Sequence, residues 1–364
     1  MTAWSNEQDA ALKAIAAWRA RGDSQVFRLF GYAGTGKTTL ARHIADDVDG
    51  DVVYGAYTGK AASVMRSRGC RDAATIHSII YRAKEGDEGG PSFVLNRSST
   101  VAKADLVIID ECSMVDEELG RDLLSFGTPV LVLGDPAQLP PVKGGGFFTE
   151  AEPDAMLTEV HRQARGNPII DLSMRVRMGE RLERGVYGES RVISRREIES
   201  EDVAAADQVL VGLNRTRQLY NRRLRELLNY YPAGPQVGDR LVCLRNDRTK
   251  GLLNGTGWVV QAMRPAASRY VRMDIAPEDD RNRVPTDVSV REEYFDGREE
   301  ELSFSERRES DAFTYGYALT VHKAQGSQWA STVLFDESYA FREHRARWLY
   351  TGLTRASERV IVVQ

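Results

Sequence analysis

The sequence predicts an α/β protein built as two tandem lobes, and three observations carry that reading. Short apolar runs rich in β-branched residues alternate with helical stretches along most of the 364 residues, the pattern of a mainly parallel sheet covered by helices. The length exceeds what one ordinary hydrophobic core supports. From residue 237 to residue 310 the helical period disappears and short alternating segments lie between turns, as expected of a small β-barrel inserted into the second lobe.

Near the start, Ser5 and Gln8 in "WSNEQDAAL" have the spacing of a capping box and predict a helix N-terminus. The first strand is predicted at residues 26–30, and "GYAGTGKTTL" follows it at residues 31–40. The pattern G-x-x-x-x-G-K-[ST] is complete over residues 31–38, with a helix predicted from residue 38 to residue 44. Gly34, Thr35 and Gly36 let backbone N–H groups turn onto phosphates, and Lys37 can neutralise the β and γ charges. Thr38 offers a hydroxyl to Mg²⁺, and Thr39 lies in the first helical turn, whose dipole favours an anion. The loop therefore binds a nucleoside triphosphate.

Further strands are predicted at residues 52–56, 106–110 and 130–134. "LVIIDECSMVD" sets Asp110 and Glu111 at a strand end, Asp110 to hold the Mg²⁺ and Glu111 to orient and deprotonate an attacking water. "LGDPAQLPPV" puts Gln138 just past the next strand, within reach of the γ-phosphate or its water. Ahead of these motifs, residues 84–100 carry Gly86, Gly89 and Gly90 beside the apolar triplet Phe93, Val94 and Leu95. That segment is either a projecting hairpin or a loop folded back as a satellite core. Second-lobe strands are predicted at residues 208–212, 332–335 and 359–363, which gives lobes at 1–155 and at 156–236 with 311–364, around an insertion at 237–310. Phosphoryl transfer needs positive charge on the transferred group, and Arg162 in "LTEVHRQ" and Arg355 in "LYTGLTRASERV" are the candidates. Pointed into a cleft between lobes, they would tie nucleotide state to lobe spacing.

Composition narrows the class. Hydrophobic content of 42%, charged content of 28% and no apolar run long enough to span a bilayer predict a cytoplasmic globular protein with no membrane association. Cys70, Cys112 and Cys243 are odd in number and far apart, so reduced, packing cysteines are expected rather than disulfides or a metal site. A net charge of −4 excludes coating nucleic acid by bulk positive charge. "LNRTRQLYNRRLR" nevertheless carries five arginines and no acid, either as a solvated helix face or as a local basic surface.

Taken in order, these stretches resemble superfamily 1 helicases, specifically the RecD/Dda-like branch of superfamily 1B. "GYAGTGKTT" resembles motif I, "YTGKAASVM" motif Ia, "ATIHSII" motif Ib, "IIDECSM" motif II and "GDPAQLPPV" motif III. "LTEVHRQ" resembles motif IV, "YALTVHKAQGSQW" motif V and "YTGLTRASE" motif VI. The resemblance implies two tandem RecA-like P-loop NTPase domains, with a pin-like hairpin at 84–100 and an SH3-like β-barrel at 237–310. It implies ATP and Mg²⁺ as cofactors and 5′→3′ translocation on single-stranded DNA with duplex unwinding. It also implies action at single-strand/duplex junctions, in DNA replication, repair or recombination of a bacterial or phage-infected cell. The implied partners extend to a single-strand-binding protein or to replication and recombination proteins, and a monomer is expected.

Carried over by position, Lys37, Thr38, Asp110, Glu111, Gln138, Arg162 and Arg355 fall on the family's ATP-site positions. Gln8 looks like the glutamine that reads adenine, and Gln328 sits where motif V approaches the nucleotide and relatives often carry Glu. Thr58, Lys60, His77, Thr320 and His322 resemble strand-contacting positions, and Phe93 is the candidate tip of the pin. The competing class is a P-loop ATPase acting as a regulatory or assembly subunit that does not unwind by itself. Glu111 and the two candidate arginines favour active turnover.

Overall fold

Runs of Val, Ile and Leu, too apolar to alternate, form strands that must be covered on both faces. In chain order the first of these are β1 (Val26–Gly31), β2 (Val52–Ala56) and β3 (Ala74–Thr75). Two strands that lie apart follow, β4 (Tyr81–Lys84) and β5 (Ser92–Leu95), and then β6 (Leu106–Asp110), β7 (Val130–Gly134) and β8 (Ala155–Leu157). The computed structural model describes residues 4–84, 92–140, 146–159, 166–230, 234–247, 249–278 and 284–364. Met1–Arg177 and Met178–Gln364 form two compact units.

In the first unit, β3-β2-β6-β7-β1-β8 make one sheet in which neighbouring strands pair parallel. Its helices are α1 (Asn6–Arg21), α2 (Lys37–Asp46), α3 (Gly59–Ser67), α4 (Ile76–Ile80), α5 (Glu117–Leu124) and α6 (Pro168–Arg177). Ala11, Ile15 and Trp18 of α1 share a core with Leu40, Ala41 and Ile44 of α2 on one side of the sheet. Ile76 and Ile80 of α4 and Leu119 and Leu123 of α5 cover Val107, Ile109, Val130 and Val132 on the other. Because β7 lies between β1 and β6, the loop after β1 and the acids after β6 open at one carboxyl edge, where ligands of such sheets bind. The sequence reading divides the lobes at residue 155, but β8 begins there and pairs with β1, and α6 follows within the same unit.

β4 and β5 pair antiparallel, Tyr81 opposite Leu95 and Lys84 opposite Ser92. The Tyr81 hydroxyl donates to Asp122 Oδ2 of α5 at 2.6 Å and anchors the first arm. The glycines of the expected turn, Gly86, Gly89 and Gly90, and the side chain of Phe93 lie outside the described residues.

The second unit contains β9 (Gly185–Tyr187), β10 (Ser190–Ile193), β11 (Gln208–Val211), β12 (Arg240–Cys243), β13 (Gly257–Arg264) and β14 (Tyr270–Pro277). β15 (Thr286–Arg291), β16 (Phe313–Tyr315), β17 (Ala318–Thr320), β18 (Trp329–Phe335) and β19 (Ala356–Val363) complete it. Its helices are α7 (Ser200–Ala205), α8 (Asn214–Leu227), α9 (Glu293–Asp296), α10 (Phe304–Glu309) and α11 (Arg345–Leu353). One sheet runs β17-β11-β18-β19-β10-β9, parallel except for β9. The region that lost helical period supplies four strands of a five-stranded antiparallel sheet, β15-β14-β13-β12-β16, whose fifth strand, β16, lies beyond the expected limit at residue 310. Val209 and Val333 of the first sheet and Leu241, Trp258 and Phe313 of the second belong to one core.

A buried ion pair ties α8 to this region. Arg225 Nε and Nη2 donate to Asp239 Oδ1 and Oδ2 at 2.9 and 3.0 Å, and the Tyr317 hydroxyl donates to Oδ1 at 2.9 Å. The arginine-rich helix is therefore two-faced: Arg217, Asn221, Leu224 and Arg225 are buried, while Arg215, Arg222 and Arg223 are exposed. Cys70, Cys112 and Cys243 are free and buried, and burial pushes the Cys243 thiol up to about 12. Among the described residues, no helix is long and apolar enough to cross a membrane.

Candidate active site

β1 delivers the chain into the loop at Gly31, where a Cβ would meet Thr35 Oγ1 at 2.7 Å and Leu157 Cβ at 2.9 Å. Gly34 and Gly36 have φ of 77° and 82°, the left-handed region that glycine enters without penalty. The Thr35 hydroxyl donates to the Tyr32 carbonyl at 2.9 Å and closes the turn. α2 begins at Lys37 with no side-chain cap, so its first N–H groups are left for a ligand, and Thr39 is exposed on that turn. Lys37 Nζ curls back onto the loop and donates to the Gly31 and Tyr32 carbonyls at 2.6 and 3.1 Å.

The strand-end acids meet the loop. Thr38 Oγ1 donates to Asp110 Oδ2 at 3.2 Å, and Arg68 Nη1 donates to Thr38 Oγ1 at 3.4 Å. Asp110 Oδ1 accepts from the Glu111 N–H at 2.8 Å. Glu111 has a φ of 53°, a left-handed conformation that costs a non-glycine residue about 1–3 kcal/mol and is typical of functional positions. A hydroxyl and a carboxylate already in contact are the hard oxygen donors that Mg²⁺ takes beside phosphates, so the residues fit that ion. Gln138 is 7% exposed, and its Oε1 is buried without a hydrogen-bond partner. Asp135 shapes its turn, accepting from the Ala137 N–H at 3.0 Å and, through its carbonyl, from the Gln138 N–H at 3.1 Å.

Gln8 is 3% exposed and engaged at both ends of its amide. Its Oε1 accepts from the Ser5 N–H at 3.0 Å, and its Nε2 donates to the Thr35 carbonyl at 3.1 Å. The capping box predicted from sequence is present, and the same side chain braces the nucleotide loop. Sequence reasoning missed two supports. The Glu7 carboxylate accepts from the Thr158 N–H at 2.6 Å, the Thr158 hydroxyl at 2.5 Å and the Glu159 N–H at 2.8 Å. Burial opposes its charge, yet these donors hold its carboxyl below the ordinary range. The Arg177 guanidinium lies 3.5 Å above the Tyr32 ring centroid, a cation–π contact on the loop itself. The acidic first turn of α1 was a signal for Glu7; nothing local pointed to Arg177.

Thr58 caps α3, accepting from the Ala61 N–H at 3.1 Å, and Lys60 is half-buried in the following turn. His77 lies between Tyr57 and Tyr81, with ring centroids at 6.0 and 5.8 Å. The residue is exposed, yet desolvation lowers its pKa, against the pull of Asp116 and Glu118.

In the second unit, Thr320 ends β17 and its hydroxyl accepts from the Lys323 N–H at 3.3 Å. His322 lies 5.2 Å from Phe341, and burial followed by repulsion from His344 lowers its pKa. Arg355 is 5% exposed and donates to the Thr351 and Ser327 carbonyls at 3.0 and 3.2 Å and to Thr354 Oγ1 at 3.2 Å. Gln328 is exposed. Arg162 lies outside the described residues, as do residues 141–145 at the end of the "LPPV" stretch. The first unit thus brings Gln8, Lys37, Thr38 and Asp110 onto one loop.

A nucleotide loop at the carboxyl edge of a parallel sheet, facing a strand-end Asp-Glu pair, defines a P-loop NTPase, here followed by a second α/β unit. Residues 3–195 match the AAA domain family, and residues 315–363 match the UvrD-like helicase C-terminal domain. The chain belongs to this AAA domain family, within the RecD/Dda-like branch of superfamily 1B.

It is 32% identical over 389 residues to the ATP-dependent RecD2 DNA helicase of Deinococcus radiodurans, covering 98% of this chain and 48% of the relative. It is 33% identical over 165 residues to the ATP-dependent DNA helicase dda of Enterobacteria phage T4, covering 41% of this chain and 37% of the relative. The chain thus spans less than half the length of these two relatives. Among solved structures, Bacteroides Pif1 bound to ssDNA superposes with a TM-score of 0.58 at 18% identity, covering 99% of this chain and 92% of that one. Pif1 helicase from Candida albicans gives 0.56 at 18%, covering 100% and 95%. These likenesses establish the fold as tandem RecA-like domains.

Proposed function

We propose that this chain is an ATP-dependent DNA helicase that moves 5′→3′ along single-stranded DNA and unwinds duplex ahead of it. The observation that carries the reading is the Thr38–Asp110 contact at 3.2 Å, which joins the nucleotide loop to the strand-end acids. The relatives named as DNA helicases support it, as does a Bacteroides Pif1 structure solved in complex with ADP-AlF3 and ssDNA.

In this reading the loop holds ATP, and Thr38 and Asp110 would hold Mg²⁺, which neutralises phosphate charge when bound. Lys37 exchanges the Gly31 and Tyr32 carbonyls for phosphate oxygens. Glu111 orients the attacking water and takes its proton, with the unpartnered Gln138 Oε1 as a second acceptor for that water. Arg355 and Arg162 supply positive charge to the transferred phosphoryl group, and Gln8 and Gln328 border the nucleotide. Thr58, Lys60, His77, Thr320 and His322 line the path of the strand. With its pKa lowered, His77 meets the strand as a neutral ring that stacks or hydrogen-bonds.

The five-stranded antiparallel sheet is the inserted SH3-like barrel, and β4 and β5 are the arms of a hairpin pin carrying Phe93. A monomer is the acting unit, working at single-strand/duplex junctions. The test is ATP turnover with and without single-stranded DNA, followed by unwinding of duplexes with one 5′ or one 3′ tail. DNA-stimulated turnover with unwinding only from the 5′ tail is expected. Turnover without unwinding of either substrate overturns the helicase reading in favour of an ATPase subunit.

A further inference from the structure

Two buried arginines on α8 have opposite fates. Arg225 is met by the Asp239 carboxylate at 2.9 and 3.0 Å. Arg217, 3% exposed and two turns earlier, keeps an Nε with no hydrogen-bond partner. The carboxylate in its field, Glu299, has a buried Oε2 that is itself without a partner, so the two groups do not pair. A buried cation without a hydrogen-bonded counter-charge is strongly destabilising. Its position is held firmly: Asn221 Nδ2 donates to the Arg217 and Ala318 carbonyls at 3.0 Å each, and Asn221 Oδ1 accepts from the Ala318 N–H at 2.9 Å. That clasp fixes α8 against β17, and the turn that leaves β17 carries Thr320, His322 and Lys323.

Lys323 is a second cation in the same field. Its side chain reaches solvent, yet its pKa is lowered to about 8, by desolvation first and then by Arg217 on α8, with Glu299 opposing. Two cations share the field of one carboxylate, which leaves the local balance positive. We propose that Arg217 and Lys323 form a phosphate-binding site on the second unit that takes one backbone phosphate of the nucleic-acid strand. The site rests on the proposed DNA-tracking function and adds to it a residue outside the resembling motifs. An Arg fork behind a Lys point charge suits a phosphate, which keeps its full charge at neutral pH.

Arg217→Met keeps an unbranched apolar stem and removes the unpartnered charge. Without DNA its Tm should equal or exceed that of the parent. Its affinity for a fluorescein-labelled (dT)16 strand should fall about tenfold, the worth of one charge-assisted contact. The slope of log affinity against log salt should shrink by about 0.7, the value for one phosphate on a single strand. Lys323→Gln should reproduce the smaller slope if Arg217→Met folds poorly.

Phosphate favours the charged ammonium, so affinity in the parent should fall as pH rises through about 8, and Lys323→Arg should flatten that profile. Unchanged affinity and slope in both Arg217→Met and Lys323→Gln would overturn the site. So would inorganic phosphate raising the Tm of the parent but not of Arg217→Met while (dT)16 binds both equally, since the site would then take free phosphate. A parent chain that binds no (dT)16 at all overturns the DNA-tracking function itself.

Discussion

Replacing Gln8 by Ala separates two roles for one side chain. As a brace, Gln8 contributes the bond from the Ser5 N–H at 3.0 Å and the bond to the Thr35 carbonyl at 3.1 Å. Each is worth about 1 kcal/mol net, and leaving the buried Thr35 carbonyl without this donor adds about 1 kcal/mol or more. The sum, about 3 kcal/mol, corresponds to a fall of roughly 6–12 °C in the transition of the unit that carries it. A slack loop holds the phosphates less well whatever the base, so KM for ATP and for GTP should rise together. Differential scanning calorimetry and steady-state turnover with both nucleotides measure these effects. A Gln8→Ala variant that melts within about 2 °C of the parent but no longer prefers ATP over GTP would refute the brace and leave Gln8 as a base reader.

Gln138→Ala should bind ATP as the parent does but lose stimulation by single-stranded DNA, because the buried Oε1 has no hydrogen-bond partner within the fold to lose; an unchanged stimulation ratio counts against this coupling. Arg355→Ala should lower turnover by about 10³-fold if it acts as an arginine finger, and a loss below about tenfold makes it a structural arginine serving the Thr351 and Ser327 carbonyls. Phe93→Ala should keep DNA-stimulated ATP turnover and lose unwinding, and unwinding at the parent rate places the pin elsewhere. Asp239→Asn leaves Arg225 buried beside a neutral amide and should cost about 3–5 kcal/mol in urea unfolding, whereas a loss below about 1 kcal/mol would show that the pair is solvated in solution.

What the sequence made legible follows from local physics. Strands such as Leu106–Asp110 and Val130–Gly134 are apolar up to their last residue because both faces are covered, so their limits follow the apolar runs. The nucleotide loop reads directly because backbone geometry demands glycine at 34 and 36. Long-range partners leave no such mark. The contact of Glu7 with Thr158 spans 151 residues, and the contact of Arg177 with Tyr32 depends on where α6 ends. The arginine-rich stretch was half legible: burial of Arg217, Asn221, Leu224 and Arg225 follows the i, i+4, i+7, i+8 spacing of one helix face, but charge alone suggested a single solvated or basic surface.

Lys37 and Arg355, both proposed to meet phosphate, are each satisfied within their own unit. Lys37 is satisfied by the Gly31 and Tyr32 carbonyls, and Arg355 by those of Thr351 and Ser327. In the proposed function each cation meets an anion by exchanging partners. Backbone carbonyls are neutral acceptors, so a charged phosphate oxygen competes well against them, by roughly a factor of two in bond strength. A carboxylate in their place would hold the cation too tightly, as Asp239 holds Arg225. On this logic, Arg225 is fixed in the scaffold and Lys37 and Arg355 are free to switch. The left-handed Glu111 belongs with the second group, because its strained backbone is maintained by its neighbours, the Asp110 carboxylate accepting from its N–H at 2.8 Å. The carboxylate that contacts Thr38 thus also sets the backbone of the residue proposed to activate water, so any ligand that shifts Asp110 acts on both.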